Sequence, residues 1–182
     1  MNKLIYGNLL LFACCIFYLV WWILAFDPKG RWSLTWPWLI VTAAFGFAGI
    51  WQCISGIGLN TPAKKLFGLM PVGIGILVYA ALLFITYFFM HRIVTTELFL
   101  IVGWTILQIM VLDTAQAFYG AGGISRTAFA VLLIIAIVIA AVSLAAYLKY
   151  YDLPKLQGYI DGMIPLILMG VFMAAEAVCM KG

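Results

Sequence analysis

The chain has 182 residues, of which 67% are hydrophobic and 9% charged, with a mean hydropathy of +1.18. A soluble domain is about 45–50% apolar and about 25% charged, so a water-soluble fold of this size would leave apolar surface exposed and aggregate. A bilayer removes that problem, and the length suits one compact bundle. The net charge of +4 is small and its Lys and Arg residues are scattered, which leaves no electrostatic footprint for nucleic acid.

A bilayer crossing takes about 20 mostly apolar residues, and six stretches qualify, at 5–26, 38–57, 68–90, 98–119, 127–148 and 160–180. The fold class expected is an all-α polytopic membrane protein with a single transmembrane domain over residues 1–182. The first stretch contains Leu11-Phe12-Ala13-Cys14, loosely like a lipoprotein cleavage site. Cleavage there would halve a run long enough to span, so a retained first helix carrying Asn8 is expected. Asp27-Pro28-Lys29-Gly30 turns the chain into the second stretch, which holds Gln52, Cys53 and the pair Ala44 and Ala48. Gly58-Leu59-Asn60-Thr61-Pro62 makes the next turn, because Gly, Pro and Asn favour turn dihedrals. The third stretch opens Gly68-Leu69-Met70-Pro71.

The polar connection from His91 to Glu97 precedes the fourth stretch, which bears Gln108, Asp113 and Gln116. Gly120-Ala121-Gly122-Gly123 leads to the fifth, which has no chemical group but repeats Ala136, Ala140, Ala141 and Ala145. Asp152-Leu153-Pro154 leads to the sixth, which includes Gly162, Pro165, Gly170, Ala174 and Glu176. Small residues spaced this way let helices approach closely, within one chain or between chains, so a homo-oligomer is a candidate assembly. Cys14, Cys15, Cys53 and Cys179 form no CxxC pair and read as small hydrophobes. No metal or cofactor is expected.

With six crossings both termini lie on one side, called side A here; the first, third and fifth loops lie on side B. Side B gathers Trp21, Trp22, Trp32, Trp36, Trp38, Tyr87, Tyr147, Tyr150, Tyr151 and Tyr159, as an interfacial aromatic belt does. Side A carries Lys3, Lys64, Lys65, Arg126 and Lys181, and side B carries Lys29, Arg31, Arg92, Lys149 and Lys155. This even split gives the positive-inside rule nothing to act on. The location expected is a plasma (cytoplasmic) membrane, multi-pass, with orientation open.

Gly68 with Pro71 and Gly162 with Pro165 are offset by 162 − 68 = 94 residues. The same offset carries the first span onto the fourth and the second onto the fifth. This reads as a 3+3 inverted repeat, a common transporter architecture with its site at the repeat interface. The competing explanation is that Pro is favoured in the first turn of any helix.

Ionisable side chains inside a bilayer are costly and normally face the bundle interior. Asp113 and Glu176 are the two acids within the spans, with Gln108, Gln116, Gln52 and Asn8 as neutral companions. Asp113 lies about 9 Å from the side A end of its helix at the helical rise. Gln52, Gln116, Glu176 and Asn8 fall in the same layer, with Gln108 deeper. Helices two, four and six are expected to line a polar cavity with these six residues as the substrate- or ion-binding set. Asp113, with no cation near it in sequence, is the leading candidate for a proton-coupled or cation-binding group. Interhelical hydrogen bonding is the structural alternative. A water-sized cavity reaching Asp113 would favour transport, and a packed interior with Asp113 bonded to its neighbours would favour a scaffold. No HExxH, GxSxG or P-loop is present, and an enzyme is not expected.

Asp27-Pro28-Lys29 after the first span, and Asp161-Gly162 followed by Ile164-Pro165 near the last, resemble fragments of the six-helix urea/amide channel family. The resemblance implies a small-solute pore with Asp161 in place of a pore-mouth acid. The fifth span lacks the tryptophan that the family tends to place near its pore. The function expected is thus a small-solute or ion channel or transporter, with lipid and a small solute or cation as partners. The alternatives are a non-transporting scaffold or partner subunit, or a membrane-embedded substrate-binding component of a larger transporter.

Overall fold

A computed structural model describes residues 1–25, 35–58, 65–91, 96–150 and 152–180. Asp27-Pro28-Lys29, most of the turn from Gly58 to Pro62, and much of the connection from His91 to Glu97 lie outside them. Six α-helices follow in order: α1 Asn2–Ala25, α2 Trp36–Ile57, α3 Met70–Phe88, α4 Thr96–Ala117, α5 Arg126–Tyr150 and α6 Lys155–Cys179. All six are long and apolar enough to cross a membrane, and the chain is a multi-pass integral membrane protein.

Neighbours run α2, α1, α6, α5, α4, α3, with α4 also touching α2. α4 is the most enclosed span, whereas α3, among the described residues, packs mainly on α4. The tightest contact is the antiparallel pair α1–α2. Leu4, Gly7, Leu11 and Cys14 on α1 meet Gly56, Cys53, Gly49 and Gly46 on α2, each series stepping by three, four and three residues. A Cβ on Gly7 would collide with Cys53 Sγ and lie 2.9 Å from the Cys53 backbone nitrogen. Small residues permit this approach because lipid gives helices no hydrophobic reason to associate, leaving close van der Waals contact as the attraction. The expected seam of Ala44 and Ala48 is not this surface, since both are exposed. An adjoining stripe of α1 faces α6, with Cys15 and Phe12 against Gly170 and Trp22 against Gly162.

α6 begins at Lys155, five residues before the expected start, with Pro154 as its N-cap. Pro165 is therefore inside α6, while Pro71 occupies the first turn of α3. The two Gly-Pro fragments hold different structural positions, and the equivalence that carried the repeat is lost. The packing departs as well: α5 packs on α6, but their counterparts α2 and α3 make no comparable contact. Other related pairs do correspond, α1–α2 with α4–α5 and α1–α6 with α4–α3.

Tightly buried side chains concentrate toward side A, including Leu4, Cys53, Ile57, Leu112, Ile124, Met173, Ala177 and Met180. Toward side B the rings form a linked set rather than a belt of separate anchors. Phe17 stacks on Trp38 at 6.0 Å and Tyr18 on Trp21 at 5.1 Å, while Trp22 meets Tyr150 at a tilt at 5.7 Å. Trp36 and Tyr87 do point outward, as belt residues should.

Candidate functional site

Three of the six expected residues meet in the space between α1, α4 and α6. Asn8, Gln108 and Glu176 are each wholly buried, at 0% exposure. Asn8 Nδ2 donates to Glu176 Oε2 at 2.9 Å, and Gln108 Nε2 donates to Asn8 Oδ1 at 3.4 Å. The direction of this chain follows from the chemistry. A carboxylate only accepts, so Asn8 must turn its amide nitrogen toward Glu176. Its oxygen then faces Gln108, which must present nitrogen in turn. The chain is left with an acceptor at each end, Gln108 Oε1 and Glu176 Oε1, and neither has a hydrogen-bond partner. No described Lys, Arg or His pairs with Glu176.

One turn toward side B, Trp104 lies four residues before Gln108 on the same face of α4. Phe172 likewise lies four before Glu176 on α6. The two rings meet edge to face at 5.5 Å, covering the polar triad from that side. Trp104 Nε1 is buried without a partner, so the layer offers an unfilled donor beside two unfilled acceptors. Isolated buried polar atoms are costly, and three of them on neighbouring turns of α4 and α6 make this layer the candidate site.

Asp113 sits elsewhere and has partners that its isolation in sequence did not show. Its Oδ1 accepts from the Leu66 backbone N–H at 2.7 Å; its Oδ2 accepts from Phe67 and Gly68 at 2.9 and 3.0 Å. These are the residues leading into α3, where Gly68 takes φ +55°, a conformation glycine adopts without strain. Three oriented N–H groups form a natural carboxylate receptor, so Asp113 is satisfied by backbone and not by a side-chain cation. Beside it Lys65 Nζ donates to the carbonyls of Ile57 and Gly58 at 2.6 and 3.4 Å, closing the C-terminus of α2. A pocket of about 50 Å³, room for a water, also reaches Asp113, so Asp113 combines a water-sized opening with a carboxylate bonded to its neighbours.

Gln52 and Gln116 are half-buried and take no part in the triad. The single polar layer expected near side A thus resolves into two groups, the triad and the Asp113 cradle. Asp161, the acid singled out by the urea/amide resemblance, lies in the second turn of α6 toward side B. Its Oδ2 is buried without a partner. Trp104 was missed in the sequence because an indole in a span reads as apolar packing; its i, i+4 spacing from Gln108 was the available signal. No family model, no curated protein and no solved structure matches the chain.

Proposed function

We propose that the bundle moves a small solute or ion across the membrane, with Asn8, Gln108 and Glu176 as its cation- or proton-binding group. The supporting observation is the pair of unfilled acceptor oxygens, Gln108 Oε1 and Glu176 Oε1, at the ends of a hydrogen-bond chain with fixed direction. A carboxyl group in the hydrocarbon region is costly to keep, and without a paired cation it is by default a group that serves function. Oxygen acceptors with net negative charge favour a ligand that is positive or donates protons. Gln108 and Glu176 are the ligands from α4 and α6, and Asn8 adds α1 to the helices expected to contribute.

The test is uptake by vesicles containing the purified protein, driven by an inside-negative potassium diffusion potential and read with pH- and sodium-sensitive dyes. Uptake of protons or a monovalent cation above protein-free vesicles is expected. Glu176→Gln should cut it at least about tenfold, equivalent to about 1.4 kcal/mol. Wild-type uptake no faster than in empty vesicles would sink the reading. It would leave the competing one, a partner subunit of a larger assembly, which the close packing near side A and the backbone cradle around Asp113 favour.

A further inference from the structure

Among the described residues α3 packs mainly on α4, and the space left between α3 and α5 is a groove of about 340 Å³ floored by α4. Its lining is aliphatic apart from Thr105, the ring of Phe67 and the thioether of Met70. The floor is fixed by contact: Gly75 of α3 lies against the Ile106 side chain of α4, with no room for a Cβ between them. The α5 wall is made by Leu133, Ile137, Ala140, Ala141 and Leu144. At 100° per residue these five positions and Arg126 fall within an arc of about 100°. Arg126 is on the centre line of that arc, seven residues from Leu133 and about 10 Å nearer side A.

We infer that this groove holds one acyl chain of an anionic phospholipid, with Arg126 meeting its phosphate. Length and volume favour a chain over a helix. The wall from Leu133 to Leu144 rises about 16 Å. A groove of about 340 Å³ open along one side seats a slender rod such as an acyl chain along its length, whereas a helix about 10 Å across would stand largely outside it.

Charge selects the head group. Arg126 is exposed at the first residue of α5, and a helical side chain leans toward its own N-terminus. The guanidinium is thereby carried to the side A head-group level, as long basic side chains are where they snorkel. The described acids in this half, Asp113 and Glu176, are both buried, so neither is available at the rim. Lys65 is committed to the carbonyls closing α2. A guanidinium binds a phosphate by paired hydrogen bonds, and a net-negative lipid keeps charge to spare where a zwitterionic one does not. The inference is independent of the transport reading.

The test is native mass spectrometry of the full chain released from nanodiscs of equimolar phosphatidylglycerol and phosphatidylcholine. Wild type should retain one phosphatidylglycerol in preference to phosphatidylcholine. Arg126→Gln should reduce that retention about tenfold and equalise the two lipids, and Arg126→Lys should restore part of the preference. Ala141→Phe, which places a ring in the groove, should remove retained lipid of both kinds. Lys149→Gln, at the opposite rim, should change nothing. Each variant is first required to match wild type in its elution and its detergent melting temperature. Equal retention of both lipids by wild type would overturn the inference, as would wild-type retention by Arg126→Gln. A dimer in place of bound lipid, broken by Ala141→Phe, would overturn it too, by making the groove a contact between copies.

Discussion

Asp113 accepts hydrogen bonds from three consecutive backbone N–H groups at 2.7 to 3.0 Å, and at 1% exposure it has no water to replace them. Asp113→Ala leaves those donors without a partner in the entry to α3. Hydrogen bonds to a charged group contribute about 1.5–3 kcal/mol each, and their losses overlap because one loop is involved. A destabilisation of about 3 kcal/mol is expected for Asp113→Ala, measured by unfolding in mixed micelles. Asp113→Asn, which keeps one accepting oxygen, should cost less. A cost under about 0.5 kcal/mol for Asp113→Ala, the level of an unremarkable surface change, would show that the cradle does not hold the loop. The sequence identified Asp113 and Glu176 as the two intramembrane acids but ranked Asp113 first, because no cation lay near it. The partner of Asp113 is backbone about 45 positions away, and any residue but proline could supply such a donor. Asn8 and Gln108 were legible as polar residues in apolar runs; that they converge on Glu176 depends on packing across 168 and 100 positions.

Helices were legible at the element scale because each span announces itself by length and apolarity. Their contact faces were less so, since a span surrounded by lipid is apolar on all sides and loses the amphipathic stripe that orients a soluble helix. The α1–α2 seam was still written in the sequence, as small residues at Gly46, Gly49, Cys53 and Gly56. Ala44 and Ala48 offered an equally regular pattern nearby and drew the reading away. The two stripes give opposite predictions. Gly7→Val puts its side chain against Cys53 and its backbone nitrogen, where no rotamer change can relieve the clash. It should destabilise the protein by about 2 kcal/mol, in the range for overpacked sites. Ala44→Leu and Ala48→Leu, both facing outward, should stay within about 0.5 kcal/mol of wild type. Equal effects at both stripes would mean that α1 and α2 do not meet as described. The start of α6 was misplaced for a related reason. Pro165 looked like a first-turn proline, but Pro154 already supplies the start signal and the helix continues past Pro165 to Cys179.

On the scale of the whole molecule, the triad is closed unevenly. Toward side A lie Leu4, Ile57, Ile124, Ala177 and Met180, none more than 3% exposed, and interiors packed this way resist opening. Toward side B the immediate cover is one aromatic pair, Trp104 against Phe172. Beyond it α1 has no buried residue after Leu11. A solute entering this conformation would therefore come from side B, past Trp104. The thiol introduced by Gln108→Cys should resist a charged, membrane-impermeant thiosulfonate reagent from either side in otherwise wild-type protein. Combined with Trp104→Ala, which removes an indole from the cover, it should become reactive from side B and stay protected from side A, with side A marked by a protease-accessible tag at the termini. The native thiols must first be replaced by serine or alanine, above all Cys179, which is exposed at the side A end of α6. Reaction from side A in the double variant would place the closure at the wrong end of the bundle. No reaction from either side would mean that Trp104 and Phe172 are ordinary packing and that the triad is sealed for structural reasons. Reaction from side B alone would make Trp104 the barrier between the triad and one face of the membrane. It would also explain why an indole with an unfilled N–H stands one turn from the only wholly buried glutamate among the described residues.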